Sequence, residues 1–283
     1  MSSNTASKFK WNGFQVAQLP QVPSWVETLG RAGHIAKGCV YFIVGILAFR
    51  VAIDAGGEIG GARNAIEEIG KQPFGQALLL LVAIGLIGYT AWRWVQAIQN
   101  TEGADDDAKG IAKRVGYGAS GVTYLGLGLY AGALVFGFTS GSGDSGQQPS
   151  FLLDSTWGRA MLGIVGTGIA IAGGYFVYQG WKAKFMEQYN LARMSETLRQ
   201  TAYHAGRMGL ITRGIAFAII GYFLLRSAWF GASGEIAGMG DALSAIAAQT
   251  YGKFLLGVVG FGLMAYAVHM ALLGWYRRFN VQS

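Results

Sequence analysis

Five basic residues border or enter long apolar segments, where their side chains could bind an anion: Arg31, Lys37, Arg114, Arg207 and Arg213. Lys37 and Arg213 lie several residues inside an apolar segment. A charge at that depth in a membrane is costly and is typical of a functional site. The pattern predicts a basic site for an anionic lipid headgroup or a small anion. The alternative is that the long side chains reach back to the membrane interface.

Other reactive residues form no recognisable constellation. Cys39 is the one cysteine, so no disulfide can form within the chain. His34, His204 and His269 are scattered, and for His269 a hydrogen-bonded packing role is favoured over a haem ligand or a pH sensor. No Asp or Glu falls in the middle of an apolar segment, which argues against proton-coupled transport and carboxylate metal sites. We therefore predict no catalytic residue, no metal, no cofactor and no enzymatic activity.

Composition indicates that these side chains are carried by membrane helices. Of 283 residues, 52% are hydrophobic and 13% charged, against about 25% charged in soluble domains. Six segments reach the roughly 20 residues that a membrane span needs. They are 33–53, 75–97, 115–138, 158–181, 209–230 and 253–276.

The distribution of charge predicts an orientation. Most of the 22 Lys and Arg residues lie on the side of the N-terminus, which predicts that both termini are cytoplasmic. This asymmetry explains the net charge of +7 better than nucleic-acid binding, so no nucleic-acid partner is expected. Membrane lipids are the expected partners, with another membrane protein or a second copy as further candidates.

The first segment of each pair begins with the same pattern. Arg31-x-Gly33 recurs as Arg114-x-Gly116 and Arg207-x-Gly209. Each copy is followed by two glycines seven residues apart, which share one helix face and predict close helix packing. These glycines are Gly38, Gly45, Gly121, Gly128, Gly214 and Gly221. A glycine-lined cavity for a flat ligand is the alternative.

The second segments repeat as well, since Phe74-Gly75 is matched by Trp157-Gly158 and Tyr251-Gly252. The sequence predicts an all-α polytopic membrane protein of six transmembrane helices, built as three parallel hairpin repeats with approximate three-fold pseudosymmetry. The expected divisions are a cytosolic arm (1–26), repeat 1 (27–100), an acidic inner loop (101–112), repeat 2 (113–182), an amphipathic inner connection (183–205), repeat 3 (206–278) and a tail (279–283).

These copies, together with the stretch "KQPFGQALLLLVAIGLIGY", resemble the bacterial membrane family catalogued as domain of unknown function 1206. The resemblance covers roughly residues 27 to 278 and implies three copies of a two-helix membrane module in the inner (cytoplasmic) membrane of a bacterium. It implies no activity, substrate or catalytic residue. The second copy departs from the pattern, because "SGSGDSGQQPS" replaces the stretch that reads "GARNAIEEIGKQPFG" in the first.

Two functions follow as hypotheses. The first is a non-enzymatic accessory or scaffold module that binds lipid or a partner membrane protein. The second is a channel or transporter for a small solute or anion along the repeat axis, for which a polar path past Ser120, Tyr41 and Tyr124 is expected. For a third class, an enzyme acting on a lipid or quinone, no residues stand out.

Overall fold

The computed structural model describes residues 24–101, 107–138, 155–230 and 238–278. Most of the predicted arm, the centre of the acidic loop, the "SGSGDSGQQPS" stretch and the tail therefore lie outside the described residues. Within them the chain is helical. The eight helices are α1 (Ser24–Ala52), α2 (Ala62–Gly70), α3 (Gly75–Gln99), α4 (Ala108–Val135), α5 (Thr156–Lys182), α6 (Glu196–Phe230), α7 (Met239–Ala247) and α8 (Gly252–Tyr276).

Six of these helices are long and apolar enough to cross a membrane, namely α1, α3, α4, α5, α6 and α8. The two short helices α2 and α7 join the first and third pairs. Each turns its apolar side inward, so that Ile66 and Ile69 of α2 and Leu243 and Ile246 of α7 are buried. The predicted six-span, three-repeat, all-α architecture is confirmed.

Local sequence fixes where several helices begin and end. Asp107 accepts a 2.7 Å hydrogen bond from the backbone N–H of Gly110 at the start of α4, and Ser155 accepts one of 3.0 Å from Gly158 at the start of α5. Such caps satisfy N–H groups that have no partner within the helix. Asn100 after α3 and Ala183 after α5 adopt the left-handed conformation that ends a helix.

The long helices form a bent row in the order α4, α3, α1, α8, α6, α5. In the first and third repeats the two helices of a hairpin pack on each other, α1 on α3 and α6 on α8. The other contacts join different repeats: α4 packs on α3, α6 on α5, and α1 on α8. Over the residues that the structure describes, α4 and α5 do not pack along each other. The hairpin of repeat 2 is therefore open, and the arrangement departs from exact three-fold symmetry.

The glycine pairs lie where one repeat meets the next. Gly45 of α1 faces the carbonyl oxygen of Gly260 on α8, and a methyl group there would stand 2.7 Å from that oxygen. Gly214 of α6 faces the carbonyl oxygen of Gly173 on α5, and a methyl group at Gly214 would stand 2.6 Å from that oxygen. Gly38 and Gly221 lie on these same two seams, and Gly121 and Gly128 lie on the α4–α3 seam. All six therefore stand at contacts between repeats.

The connection before α6 differs from the predicted amphipathic segment at 183–205. It consists of two short 3-10 turns, Lys184–Gln188 and Leu191–Arg193, and α6 already begins at Glu196. Phe185 and Tyr189 are fully buried against the end of α8 instead of lying on the membrane surface. A left-handed turn at Ala183 redirects the chain after α5, and both rings pack against His269 of α8.

Candidate anion site

Lys37 points into the middle of the bundle. It lies on α1 with only 1% of its surface exposed, because α1 is held between α3 and α8. Its Nζ donates a 3.0 Å hydrogen bond to the Tyr89 hydroxyl on α3 and stands 4.6 Å from the centre of the Tyr124 ring on α4. The side chain therefore does not extend to the interface. Of the two arrangements left open by the sequence, the structure has the inward one.

Arg213 holds the corresponding position on α6 and is also buried, with 6% of its surface exposed. Its guanidinium donates a short hydrogen bond to the Tyr266 hydroxyl on α8. The guanidinium carbon stands 4.6 Å from the centre of the Phe176 ring on α5 and 5.4 Å from that of Tyr41 on α1. Arg213 and Tyr266 thus repeat in the third repeat the pair made by Lys37 and Tyr89 in the first.

Together these residues form one cluster, to which all six long helices contribute. Tyr89 packs edge-on against Tyr124, with ring centres 4.8 Å apart, and Tyr41 packs in the same way against Tyr266 at 4.9 Å. We call this group the central cluster. It comprises Lys37, Tyr41, Tyr89, Tyr124, Phe176, Arg213, Phe217 and Tyr266.

The central cluster holds two cations without an anion. Among the described residues no carboxylate contacts Lys37 or Arg213. Nε of Arg213 is buried and has no hydrogen-bond acceptor in that part of the chain. Facing aromatic rings supply about 2 kcal/mol or more per desolvated cation, whereas removing an ion from water costs several kcal/mol. The cluster is therefore electrostatically incomplete, and an acid group would complete it.

The three arginines of the R-x-G pattern lie elsewhere, at the end of the bundle where α1, α4 and α6 begin. We call this the basic end. Arg114 donates to the carbonyl oxygens of Ala97 and Ile98, at 2.8 and 3.2 Å, at the end of α3. A cation at a helix C-terminus satisfies free carbonyls and complements the helix dipole.

Arg31 and Arg207 hold matching positions at the other two seams. Arg31 donates to the carbonyl oxygens of Gly274 and Trp275 at the end of α8, at 3.0 and 2.7 Å, and pairs with Glu27. Arg207 stacks 5.3 Å from the Trp181 ring at the end of α5. The five predicted basic residues are thus divided. Lys37 and Arg213 meet at the centre, Arg114 and Arg207 each join their repeat to the preceding one, and Arg31 joins repeat 1 to repeat 3.

A layer of polar side chains separates the central cluster from the basic end. His269 shares a 2.7 Å hydrogen bond at Nδ1 with the Tyr189 hydroxyl, the kind of contact expected of a packing histidine. Burial raises the pKa of Tyr189 well above 10. Arg277 donates a 2.8 Å hydrogen bond to the Gln188 side chain. A shallow depression of about 270 Å³ lies beside this layer and is lined by Arg31, Arg193, Arg277, Arg278 and Glu27, among others.

Sequence reasoning missed several members of the central cluster. Tyr89 and Tyr266 occupy matching positions in repeats 1 and 3, as Lys37 and Arg213 do. The presence of a tyrosine in both repeats that carry a buried basic residue could have suggested that the two side chains pair. Phe176 gave no such signal, because its contact with Arg213 joins repeats 2 and 3. No group of three or more His, Cys, Asp or Glu residues suited to a metal occurs in the described ranges.

Comparison with known proteins supports the repeat architecture. The family profile described as Domain of Unknown Function (DUF1206) matches three times, over residues 32–100, 115–183 and 208–277. The chain is 30% identical over 253 residues to the uncharacterized protein YxxB of Bacillus subtilis (strain 168), an alignment that covers 89% of this chain and 92% of that protein. No solved structure matches the chain.

Proposed function

Because this chain belongs to the DUF1206 family, a family defined without an assigned activity, we propose a function from the geometry of its centre: a non-enzymatic accessory module that binds an anionic membrane ligand. Lys37 and Arg213 hold the acid group. The observation that carries the proposal is the burial of these two cations in one cluster without a carboxylate in contact.

The chemistry of the surrounding residues supports binding over catalysis. Tyr89 and Tyr266 accept hydrogen bonds from Lys37 and Arg213 and so fix the directions of both donors. Positioned donors in a dry site bind an acid group strongly, since little reorganisation is needed. A second function of the bundle, as a scaffold for a partner membrane protein, is compatible with the same site.

The arrangement favours a bound ligand over a continuous path for solutes. Tyr41 and Tyr124, which would line such a path, are buried and packed edge-on against other tyrosine rings. Ser120 is only half-buried and makes no polar contact with them. A channel would require both edge-on contacts between these tyrosine rings to separate. Binding of an anion requires only the hydrogen-bond donors of Lys37 and Arg213.

Thermal unfolding in a neutral detergent tests the proposal. Oleate and oleyl alcohol are the probes, because they share one apolar chain and differ in the acid group. We expect oleate, and not oleyl alcohol, to raise the midpoint, as a ligand selective for the folded state must. The double substitution Lys37→Met/Arg213→Met abolishes the difference between the probes. Lys71→Met/Lys184→Met removes the same net charge from the surface and leaves that difference intact.

Circular dichroism and gel filtration establish that each variant is folded. Equal stabilisation of the wild type by both probes, or an undiminished oleate effect in the folded Lys37→Met/Arg213→Met variant, overturns the proposal.

A further inference from the structure

Repeat 2 lacks both partners of the cation–tyrosine pair. The position of Lys37 and Arg213 is taken by Ser120 on α4, and that of Tyr89 and Tyr266 by Ala172 on α5. Two large side chains are therefore replaced by two small ones at the same depth of the bundle. Repeat 2 therefore contributes less side-chain volume at this depth than repeats 1 and 3 do.

The glycines that close the other hairpins face open space in this one. In repeat 1 a methyl group at Gly33 would stand 2.5 Å from Cβ of Tyr89, because α1 and α3 touch there. Gly209 meets Tyr266 in the same way in repeat 3. Among the described residues, the matching Gly116 on α4 has nothing within 4 Å, and neither has Gly168, which matches the closely packed Gly85 and Gly262. We call the space bordered by Gly116, Ser120, Gly168 and Ala172 the side opening.

The surfaces that flank the side opening are apolar and uncovered. Only 22% of the most apolar stretch of α4 and 17% of that of α5 is buried, against 44–50% for the other long helices. Val115 and Val122 on α4, and Ile164 and Ile171 on α5, are exposed. These side chains suit a hydrocarbon chain that lies along the helices.

The two helices that border the side opening also carry the rings that hold the two cations. Tyr124 of α4 lies 4.6 Å from Nζ of Lys37, and Phe176 of α5 lies 4.6 Å from the guanidinium carbon of Arg213. A molecule between α4 and α5 would therefore lie beside the rings that contact both cations. The free Nε of Arg213 offers a donor that no described residue uses.

We propose that the side opening admits an anionic amphiphile with an apolar chain, whose acid group lies between Lys37 and Arg213 while the chain rests between α4 and α5. This proposal rests on the proposed function and names its ligand class. Opposite charge at the centre and apolar surface at the opening together select such a molecule over a small inorganic anion. The acid group is a carboxylate or a phosphate, as in a fatty acid or a phospholipid.

The first test maps the chain of a photoreactive fatty acid that carries a diazirine, with the full-length protein in phosphatidylcholine nanodiscs. We expect the label on peptides from 115–138 and 156–182, and its loss in Lys37→Met/Arg213→Met. A diazirine-bearing phosphatidylglycerol tests the phosphate source in parallel. If both probes label all six long helices to the same extent, the proposal that the ligand enters through the side opening is wrong.

The second test fills the side opening. Gly116→Leu/Gly168→Leu places two side chains in it, whereas Gly126→Leu/Gly174→Leu adds the same side chains to open surface of the same helices. Labelling by the diazirine fatty acid is expected to fall at least tenfold in the first variant and to stay unchanged in the second. Unchanged labelling in the folded first variant overturns the proposal, as does a native mass that shows a second copy bound there.

The probe set separates the two proposals. If the proposed function fails, binding of oleate and of phosphatidylglycerol does not depend on Lys37 and Arg213. If only the side entrance fails, acetate and inorganic phosphate stabilise the wild type as well as oleate does, and the leucine variant still responds to them. With the side entrance correct, affinity rises with the length of the carboxylate chain, by up to roughly fourfold per buried methylene group.

Discussion

Lys37 and Tyr89 stand on neighbouring helices of repeat 1 and share a 3.0 Å hydrogen bond at the centre of the bundle. The Tyr89 hydroxyl also accepts a 2.8 Å hydrogen bond from Nε of Arg93. One hydroxyl oxygen thus accepts hydrogen bonds from two cationic side chains, Lys37 and Arg93. Arg213 donates to the Tyr266 hydroxyl in the third repeat as Lys37 does to Tyr89 in the first. The centre of the bundle therefore contains two matching pairs of a basic residue and a tyrosine.

Removal of the Tyr89 hydroxyl should weaken the fold. In Tyr89→Phe, Lys37 loses its acceptor, and an unsatisfied buried polar group costs about 1–3 kcal/mol. The free energy of unfolding, measured by denaturant titration in micelles, should fall by that amount. Tyr222→Phe removes an exposed hydroxyl and serves as the control. Equal effects of the two substitutions would show that the central hydrogen bond contributes nothing.

Glycine-to-alanine substitutions should have opposite effects at seam and open positions. At Gly45 the new methyl group meets the carbonyl oxygen of Gly260 at 2.7 Å, so overpacking should cost about 1–3 kcal/mol. At Gly126 nothing lies within 4 Å, and Ala should stabilise the helix by up to about 1 kcal/mol. The midpoint of thermal unfolding should therefore fall in Gly45→Ala and rise in Gly126→Ala, relative to the wild type. A stabilising Gly45→Ala would contradict the seam.

Arg114 should stabilise the contact between repeats 1 and 2. Arg114→Met leaves two carbonyl oxygens at the end of α3 without their donor, and hydrogen bonds to charged groups are worth about 1.5–3 kcal/mol. We expect a loss in that range in the free energy of unfolding. Lys71→Met removes a surface cation 3.3 Å from Glu68 and should change it by less than about 1 kcal/mol. A loss no larger than that of Lys71→Met would argue against a capping role.

Tyr189 should make stability fall at alkaline pH. Burial raises its pKa in the folded protein well above 10, while the unfolded chain ionises near the ordinary value. The contribution of neutral Tyr189 is therefore complete below about pH 10 and decreases above it. Tyr189→Phe should be less stable than wild type at neutral pH, because His269 loses its 2.7 Å partner, and the gap should narrow as pH rises. A gap independent of pH would refute this account.

Restoring the missing pair should close the hairpin of repeat 2. Ser120→Lys/Ala172→Tyr rebuilds the arrangement of Lys37 and Tyr89 between α4 and α5. Spin labels at Val122→Cys and Ile171→Cys, in a Cys39→Ser background, report the separation of the two helices. We expect a shorter distance and loss of the oleate effect. An unchanged distance distribution would mean that these two positions do not set the opening.

The sequence was informative wherever the signal is local. The R-x-G and glycine patterns predicted three repeats, and the runs of apolar residues predicted six long helices, all of which the structure has. Ile66 and Leu243 lie buried on the two short helices α2 and α7. Such features depend on helical spacing within a few turns, which the chain displays directly.

The connection before α6 could not be predicted in the same way. Its apolar residues suit a membrane surface as well as the interior of the bundle. The sequence therefore predicts an amphipathic segment at 183–205 but not the burial of Phe185 and Tyr189. The deciding contact, with His269, joins residues 80 positions apart. The open hairpin escaped prediction for a similar reason, since Gly116 and Gly168 fit the repeat pattern but lack the neighbours that their counterparts have.

The sequence by itself determined the helices, the repeats and the depth of Lys37 and Arg213 along their helices. Only the tertiary structure decided that both side chains turn inward. A lysine or arginine is long enough either to reach the interface or to remain at that depth, so length and spacing allow both. Packing of α1 between α3 and α8, and of α6 between α5 and α8, closes the outward route and leaves the two cations in one aromatic cluster.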